Sequence, residues 1–187
     1  NQRAKGVFYR HSGKEFLVKA RREVIISAGA FGSPQLLQLS GVGRSQDITP
    51  YGIGMVHELA GVGQNMQDHL DFTLAFKSLD TDNFGLGLAG ALGFFKHLTL
   101  WCRNGTGMLS SPFAEGAAFL KSSKSIDRAD LQLHFVISVV EDHARKLHAG
   151  YGFSCHVCVL RPYSRGEVFL QSSDPLDSPG IDPKFLS

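Results

Sequence analysis

The chain has 187 residues, of which 43% are hydrophobic and 19% are charged, and its formal net charge is +2. This length suits one domain, or one domain with part of a second, and the composition argues against a fibrous or disordered chain. Lysine and arginine are scattered, with no basic run longer than residues 19–22, so nucleic-acid binding is disfavoured.

The first elements predicted from the sequence are a hairpin and a buried strand. Two strand-like runs within residues 6–20 flank the polar turn 11–14, a pattern typical of a β-hairpin. The run Glu23–Ser27 is short and rich in β-branched residues, and its apolar residues are continuous rather than alternating with polar ones. Such a run is expected for a strand that is buried on both faces.

A glycine turn and a capped helix follow this predicted strand. Positions 28–32 are small residues apart from Phe31, and Ser33 and Pro34 suit the N-cap and the first helical position. We predict a helix over 35–39 that ends at Gly41 or Gly43. Glycines in such a turn let the backbone approach a ligand, and free N–H groups at a helix start favour phosphates. Many α/β proteins have such turns without a ligand, so the pattern alone leaves binding open.

The second half of the chain is richer in strand patterns. After the loop 61–70, strands are predicted over 71–78, 116–121, 131–140, 152–160 and 167–171, a helix over 85–103, and an irregular tail over 173–187. This order predicts an α+β fold, in which a partial α/β segment is followed by an antiparallel sheet with helices on one face. We place the boundary between the two parts at residues 70 and 71.

The apolar, glycine-rich run 84–102 could be mistaken for a membrane span. A span needs ~20 predominantly apolar residues, whereas this run is slightly short and contains Lys96 and His97. We predict a packed helix here, and peripheral contact with a membrane stays open as an alternative.

The three cysteines are Cys102, Cys155 and Cys158. An odd, small number argues against a disulfide framework and favours a reducing compartment. Cys155 and Cys158 form a CxxC pattern, but no second ligand pair lies at a spacing that suits a metal site. Residues three apart in a strand also point to opposite faces, so we predict no metal site.

Residues 29–43, GAFGSPQLLQLSGVG, carry the most specific motif of the chain. They resemble the second signature of the glucose–methanol–choline (GMC) oxidoreductases, in which small residues precede Ser-Pro, paired aliphatics and Ser-Gly-aliphatic-Gly. Other segments resemble the family in the same order: REVIISAG at 22–29, GVGQNMQDH at 61–69 with Met66 in place of the usual leucine, FAEGAAF at 113–119, ADLQLHF at 129–135 and RPYSRGEV at 161–168.

The resemblance implies an FAD-dependent enzyme that oxidises a CH–OH group by hydride transfer to flavin. It implies that residues 1–70 are part of an FAD-binding domain and that residues 71–187 are a substrate-binding domain, truncated at its C-terminal end. The family's GxGxxG turn before a helix is not found here, and its catalytic histidine lies beyond the matched region, so we assign no catalytic residue. We expect a fragment that alone neither retains FAD nor oxidises alcohols.

The same resemblance predicts residues near the ADP part of FAD. These cofactor-binding candidates are Ser27, Ala28, Gly29, Ala30, Ser33 and Pro34. For Ser33 and Pro34, helix capping alone is an equal alternative.

Three acidic or imidazole side chains are the other candidates. Glu115 lies in an apolar stretch, where a carboxylate should be paired or functional. It resembles a glutamate that faces the substrate cavity in choline-oxidising members, and a structural ion pair is the alternative. Asp68 and His69 could relay protons, but we favour a structural role for them at the domain junction.

The implied substrate is a small primary alcohol, either choline or a medium-chain or polyether alcohol. Residues 156–166 resemble the branch that oxidises alkanols and polyethylene glycol. A non-catalytic binding or assembly module that reuses this domain is the alternative function. We expect a cytoplasmic location, with association of the intact enzyme with the inner face of a membrane left open, and no prediction is made of the oligomeric state.

Overall fold

The computed structural model describes residues 3–81, 83–140, 146 and 148–187, without the side chain of Ala89. The chain divides into two compact units, one formed by Asn1–Asp68 with Tyr163–Ser187 and the other by His69–Pro162. The elements are β1 (Gly6–His11), β2 (Lys14–Lys19), α1 (Gly29–Leu39), β3 (Val42–Gly43), α2 (Ser45–Ile48), β4 (His57–Glu58), β5 (Gln64–Met66), β6 (Asp71–Ser78), α3 (Leu88–Asn104), β7 (Ala114–Leu120), β8 (Leu131–Val136), β9 (Tyr151–Val159), β10 (Gly166–Phe169) and β11 (Gly180–Asp182).

The predicted hairpin at the start of the first unit is confirmed. β1 and β2 pair antiparallel from Gly6↔Lys19 to His11↔Lys14. Ser12 and Gly13 make the turn with φ of 50° and 75°, the left-handed values that a tight hairpin turn requires.

The predicted strand over Glu23–Ser27 is wrong. These residues have no regular secondary structure, and Ile25 is 79% exposed. A strand buried on both faces needs hydrogen-bonded neighbours, and none of the sheets in the described part of the chain includes this segment.

Helix α1 begins earlier than the sequence predicts. It starts at Gly29 rather than at Gln35, and Pro34 lies inside it. Ser33 is not the N-cap; its Oγ instead accepts a hydrogen bond of 3.1 Å from the N–H of Ala28. Because Pro34 has no N–H, the carbonyl of Ala30 loses its usual helical donor.

The predicted end of α1 is confirmed at Gly41. This residue has a φ of 81°, and its N–H donates to the carbonyl of Gln38. A Cβ at Gly41 would lie 2.3 Å from the carbonyl oxygen of Gly54. The turn therefore requires glycine for its conformation and for its close packing.

The core of the first unit lies where α1 meets β10. β10 pairs antiparallel with both β11 and β5, and the fully buried Gln38 on α1 donates through Nε2 to the carbonyl of Val168 at 3.0 Å. The predicted second domain, 71–187, therefore differs from the unit His69–Pro162, because the backbone bonds of β10 return residues after 163 to the first unit. The apolar residues of this core are Ile48, Val62, Val168 and Leu170.

The second unit is built on one antiparallel sheet in the order β6-β9-β8-β7. β6 and β9 pair over their whole length, from Asp71↔Cys158 to Ser78↔Tyr151. The strands predicted over 71–78, 116–121, 131–140 and 152–160 are confirmed as β6, β7, β8 and β9, with bounds that agree to within a few residues, and the strand predicted over 167–171 is β10 of the first unit. β8 ends at Val136, and the segment after it is held by Ser154, whose Oγ donates to the carbonyl of Ser138 and accepts from the N–H of Val140. The predicted α+β class is confirmed.

The apolar run 84–102 forms most of α3. Among the described residues, no helix has the length and apolar character to cross a membrane.

Candidate functional site

A cavity of about 580 Å³ lies in the first unit beside the start of α1, and we call it the α1 cavity. Its volume falls in the range of small-molecule pockets, ~300–1,000 Å³. Its walls come from the helix start, the loop after Gly61 and strand β10: Ala30, Phe31, Ser33, Pro34, Leu37, the residues 62–68 and Val168.

Gly63 fixes the loop that forms one wall of this cavity. It has a φ of 75°, and a Cβ there would lie 2.1 Å from the carbonyl oxygen of Val168 and 2.5 Å from Nε2 of Gln38. Its own carbonyl accepts a 2.6 Å hydrogen bond from the N–H of Val168. Only glycine allows this approach, so the residue type holds the loop against α1 and β10.

The start of α1 is open to an anion. No side chain caps the helix, and no acidic residue lies in its first turn. Gly29 has a φ of 77°, and a Cβ there would meet no atom within 4 Å. Unpaired N–H groups and the positive end of the helix dipole favour negatively charged groups at such a position.

The structure brings together half of the predicted cofactor residues. Ala30, Ser33 and Pro34 line the α1 cavity. Ser27, Ala28 and Gly29 lie exposed directly before it, and they do not belong to its wall. That these six residues bind FAD remains a prediction.

The prediction missed the far wall of the cavity. Asn65 lies there with a φ of 63°, a left-handed conformation that asparagine tolerates better than most residues. The GVGQNMQDH match was the available signal, but it identified a family segment rather than a surface facing α1. Asp68 lines the same cavity.

A charged network lies at β10. Glu167 Oε2 accepts from Arg44 Nη2 at 3.1 Å and from Gln64 Nε2 at 3.3 Å, and Glu167 Oε1 lies 3.2 Å from Lys184 Nζ. These contacts, that of Lys184 first, lower the pKa of the Glu167 carboxyl. The network ties β5 to β10 and so supports the loop that forms the cavity wall.

Glu115 lies exposed on β7, one of the two edge strands of the sheet in the second unit. The register shifts between Ala114 and Gly116, so Glu115 is the extra residue of a β-bulge. Bulges often re-aim a side chain beside an active site. No ion pair of Glu115 is found among the described residues, so the alternative of a structural ion pair finds no support there. That Glu115 faces a substrate stays a prediction.

Asp71 joins β6 to β9 through two side chains. Its Oδ2 lies 2.7 Å from Nδ1 of His156, and its Oδ1 accepts from the Cys158 thiol at 3.3 Å. Burial raises the pKa of Asp71, but the hydrogen bonds from His156 and Cys158 outweigh it, so the net pKa is lowered. Burial and the neighbouring carboxylate raise the pKa of Cys158 to about 11.

No group of three or more His, Cys, Asp or Glu side chains suited to a metal occurs within the described residues. The cysteines there are free thiols.

Comparison with known proteins relates these features to one family. The family model described as GMC oxidoreductase matches residues 1–71. An alcohol dehydrogenase [acceptor] of Pseudomonas putida is 41% identical over 193 residues, and the match covers 100% of this chain and 34% of that protein. The chain belongs to the GMC oxidoreductase family. An oxygen-dependent choline dehydrogenase of Cronobacter sakazakii is 37% identical, with 100% of this GMC chain and 34% of that protein covered.

Solved structures of GMC oxidoreductases share the fold. A formate oxidase variant of Aspergillus oryzae, studied for FAD modification, superposes with a TM-score of 0.84 at 25% identity over 99% of this chain and 37% of that one. A pyridoxine 4-oxidase superposes with a TM-score of 0.73 at 20% identity over 100% of this chain and 32% of that one, which supports the fold alone. The chain spans about a third of the length of these relatives.

Proposed function

We propose that this chain is part of an FAD-dependent oxidoreductase that acts on the CH–OH group of a primary alcohol. The open start of α1 beside the α1 cavity carries the proposal. There, no side chain caps the backbone N–H groups that follow the left-handed Gly29, and no acidic residue lies in the first turn of the helix. A phosphate-bearing cofactor suits such a position.

In this proposal, the residues of the cavity wall have separate roles in binding the cofactor. The N–H groups at the start of α1 bind an anionic group, and Gly29 keeps the approach free of a Cβ. Ser33 holds Ala28 in place through the 3.1 Å bond to its N–H. The amides of Gln64, Asn65 and Gln67 supply polar contacts from the opposite wall. FAD, when bound in the whole protein, supplies the acceptor for the hydride.

The proposed substrate class is supported by the relatives of the chain. Both the alcohol dehydrogenase at 41% identity and the choline dehydrogenase at 37% match the whole chain. Glu115 on its bulge is the carboxylate that we assign to the substrate side. The competing proposal, a binding module without chemistry, shares the fold but predicts no flavin in the complete protein.

A matched pair of glycine variants tests the cofactor role in the complete protein. Gly29→Ala adds a Cβ at a φ of 77°, and Gly52→Ala adds one at 73°, and neither Cβ meets an atom within 4 Å. Both variants carry the same backbone strain of about 1–2 kcal/mol, but only Gly29 lies at the proposed cofactor site.

We expect Gly29→Ala to lose FAD at least about tenfold more readily than Gly52→Ala, at equal loss of melting temperature. Flavin absorbance of the purified protein and turnover of a panel of alcohols are the measurements. Equal flavin retention in the two variants would remove α1 from the cofactor site. A complete protein without flavin would favour the binding module.

A further inference from the structure

A second cavity lies wholly within the unit His69–Pro162, beside the first turns of α3. It has a volume of about 560 Å³, and we call it the α3 cavity. Aromatic rings supply much of its wall. Phe84 and Phe113 stack with their ring centroids 4.6 Å apart, and Phe94 and Phe95 meet edge to face at 6.2 Å.

Glycines bring backbone into contact around this cavity. A Cβ at Gly90 would lie 2.0 Å from the carbonyl oxygen of Gly85, and a Cβ at Gly85 would lie 2.5 Å from the ring of Tyr151. Both positions therefore require glycine, and the loop before α3 rests directly on the helix.

His97 is the polar group best placed to orient a ligand in this cavity. Its Nδ1 accepts the N–H of Met108 at 3.2 Å, so the proton of the neutral ring is on Nε2. No hydrogen bond of Nε2 is found within the described part of the chain. Nε2–H is thus a donor that can serve a ligand oxygen, while Nδ1 keeps the ring fixed.

The charge of the wall limits what the cavity can hold. Among its described lining residues there is no Asp, Glu, Lys or Arg, and apart from His97 and Tyr151 the polar side chains are those of Thr81, Asn83 and Ser138. An uncharged apolar ligand matches such a surface, because its apolar part contacts the rings and one oxygen needs a donor.

We propose that the α3 cavity binds the apolar group of an uncharged alcohol, and that His97 selects for its hydroxyl by donating from Nε2–H to the oxygen. The proposal rests on the proposed function only for the statement that this ligand is a substrate. The binding itself requires no flavin.

The test uses the chain itself and three ligands of similar size, with binding measured by ligand-observed NMR titration. Benzyl alcohol has the ring and the hydroxyl, toluene has the ring alone, and choline has the hydroxyl with a positive charge. We expect benzyl alcohol to bind at least about fivefold more tightly than toluene and at least about tenfold more tightly than choline. Tighter binding of choline, equal binding of benzyl alcohol and toluene, or no saturable binding would overturn the proposal.

Two sets of variants locate the ligand. Gly93→Leu fills a position in the wall where a Cβ meets no atom within 4 Å, and leucine favours a helix more than glycine does. Thr99→Leu places the same leucine side chain on an exposed face of α3 outside the wall. We expect benzyl alcohol to bind at least about tenfold more weakly to Gly93→Leu and unchanged to Thr99→Leu. An unchanged affinity in Gly93→Leu places the ligand elsewhere.

His97 is tested by the preference for benzyl alcohol over toluene. His97→Phe should abolish this preference while toluene still binds, and His97→Gln, which keeps an acceptor and a donor, should restore part of it. A preference unchanged in His97→Phe contradicts the role of His97. Failure here, in a complete protein that still binds FAD and oxidises alcohols, would leave the proposed function standing.

Discussion

Asp71 shows how one side chain can link the edge of a sheet to its centre. Its carboxylate bridges to His156 and Cys158 on β9, while Asp71 itself begins β6. The side chains of Asp71 and His156 are only 31% and 19% exposed, so the pair is screened less than a surface ion pair. It therefore makes the stability of the second unit depend on pH.

The pH dependence has a defined sign. Because the pKa of Asp71 is lowered in the folded state, its contribution is present above the unfolded-state pKa, ~3.9, and is lost as the pH falls through the folded value. We expect Asp71→Asn to lower the free energy of unfolding at pH 6, and the difference from the native chain to shrink below about pH 4. Urea unfolding at several pH values measures this. Asp127→Asn, at an exposed aspartate, is the control, and a constant difference from pH 6 to pH 3 contradicts the assignment.

At the scale of elements, the loop at Gly63 depends on contact between a turn, a helix and a strand. A Cβ at Gly63 would strike Val168 on β10 and Gln38 on α1. Neither neighbour is the end of a flexible surface chain, since both belong to the buried core of the unit.

The same contact predicts a difference in folding stability between two glycine-to-alanine variants. Gly63→Ala and Gly52→Ala share a left-handed φ and a strain of about 1–2 kcal/mol, but only Gly63→Ala adds overpacking of roughly 1–3 kcal/mol. We expect Gly63→Ala to be the less stable variant by that amount in chemical denaturation. Equal stability would mean that the loop moves away from α1 at little cost.

Elements that depend on neighbouring residues alone were predictable from the sequence. The β1–β2 hairpin needs only its own turn, and the strand predicted over 71–78 has the same bounds as β6. The segment 23–27 was not predictable, because a buried strand depends on partners that local sequence does not reveal. The predicted start of α1 at Pro34 was wrong for a different reason. Proline suits the first turn of a helix, but here Gly29 starts the helix earlier and Pro34 is tolerated inside it.

The candidate site was predicted in part for the same reasons. Ser33 and Pro34 lie in the motif and line the α1 cavity. The wall opposite them comes from residues 62–68, and Val168 completes it from far along the chain. Contacts over more than a hundred residues, such as that between Gln38 and Val168, depend on the tertiary fold and leave no local pattern.

At the scale of the whole molecule, the first unit is interrupted in sequence and the second is continuous. β5 and β10 pair although the second unit lies between them in the sequence. Within the second unit, the pairing of β6 with β9 brings Asp71 next to Cys158. Closing a long loop before forming its contacts is entropically unfavourable. Folding of the second unit removes this cost, because it places the two flanking segments side by side.

This topology predicts an order of folding. We expect amides of β6, β8 and β9 to gain protection from hydrogen exchange before those of β5 and β10. Pulse-labelling during refolding measures the order. Simultaneous protection, or earlier protection of β5 and β10, would contradict it. Gly63→Ala serves as the control, since it should slow protection of β10 and leave β9 unchanged.

The adjacency of Asp71 and Cys158 also bears on how such a protein can diversify. The second unit is a continuous insert in the sequence of the first, and the strands near its two ends, β6 and β9, are hydrogen-bonded neighbours. Sequence changes within residues 69–162 can reshape the α3 cavity while the β5–β10 ladder and the glycine turn of the first unit keep their partners. Selection for a new ligand and maintenance of the frame can then act on separate stretches of the gene.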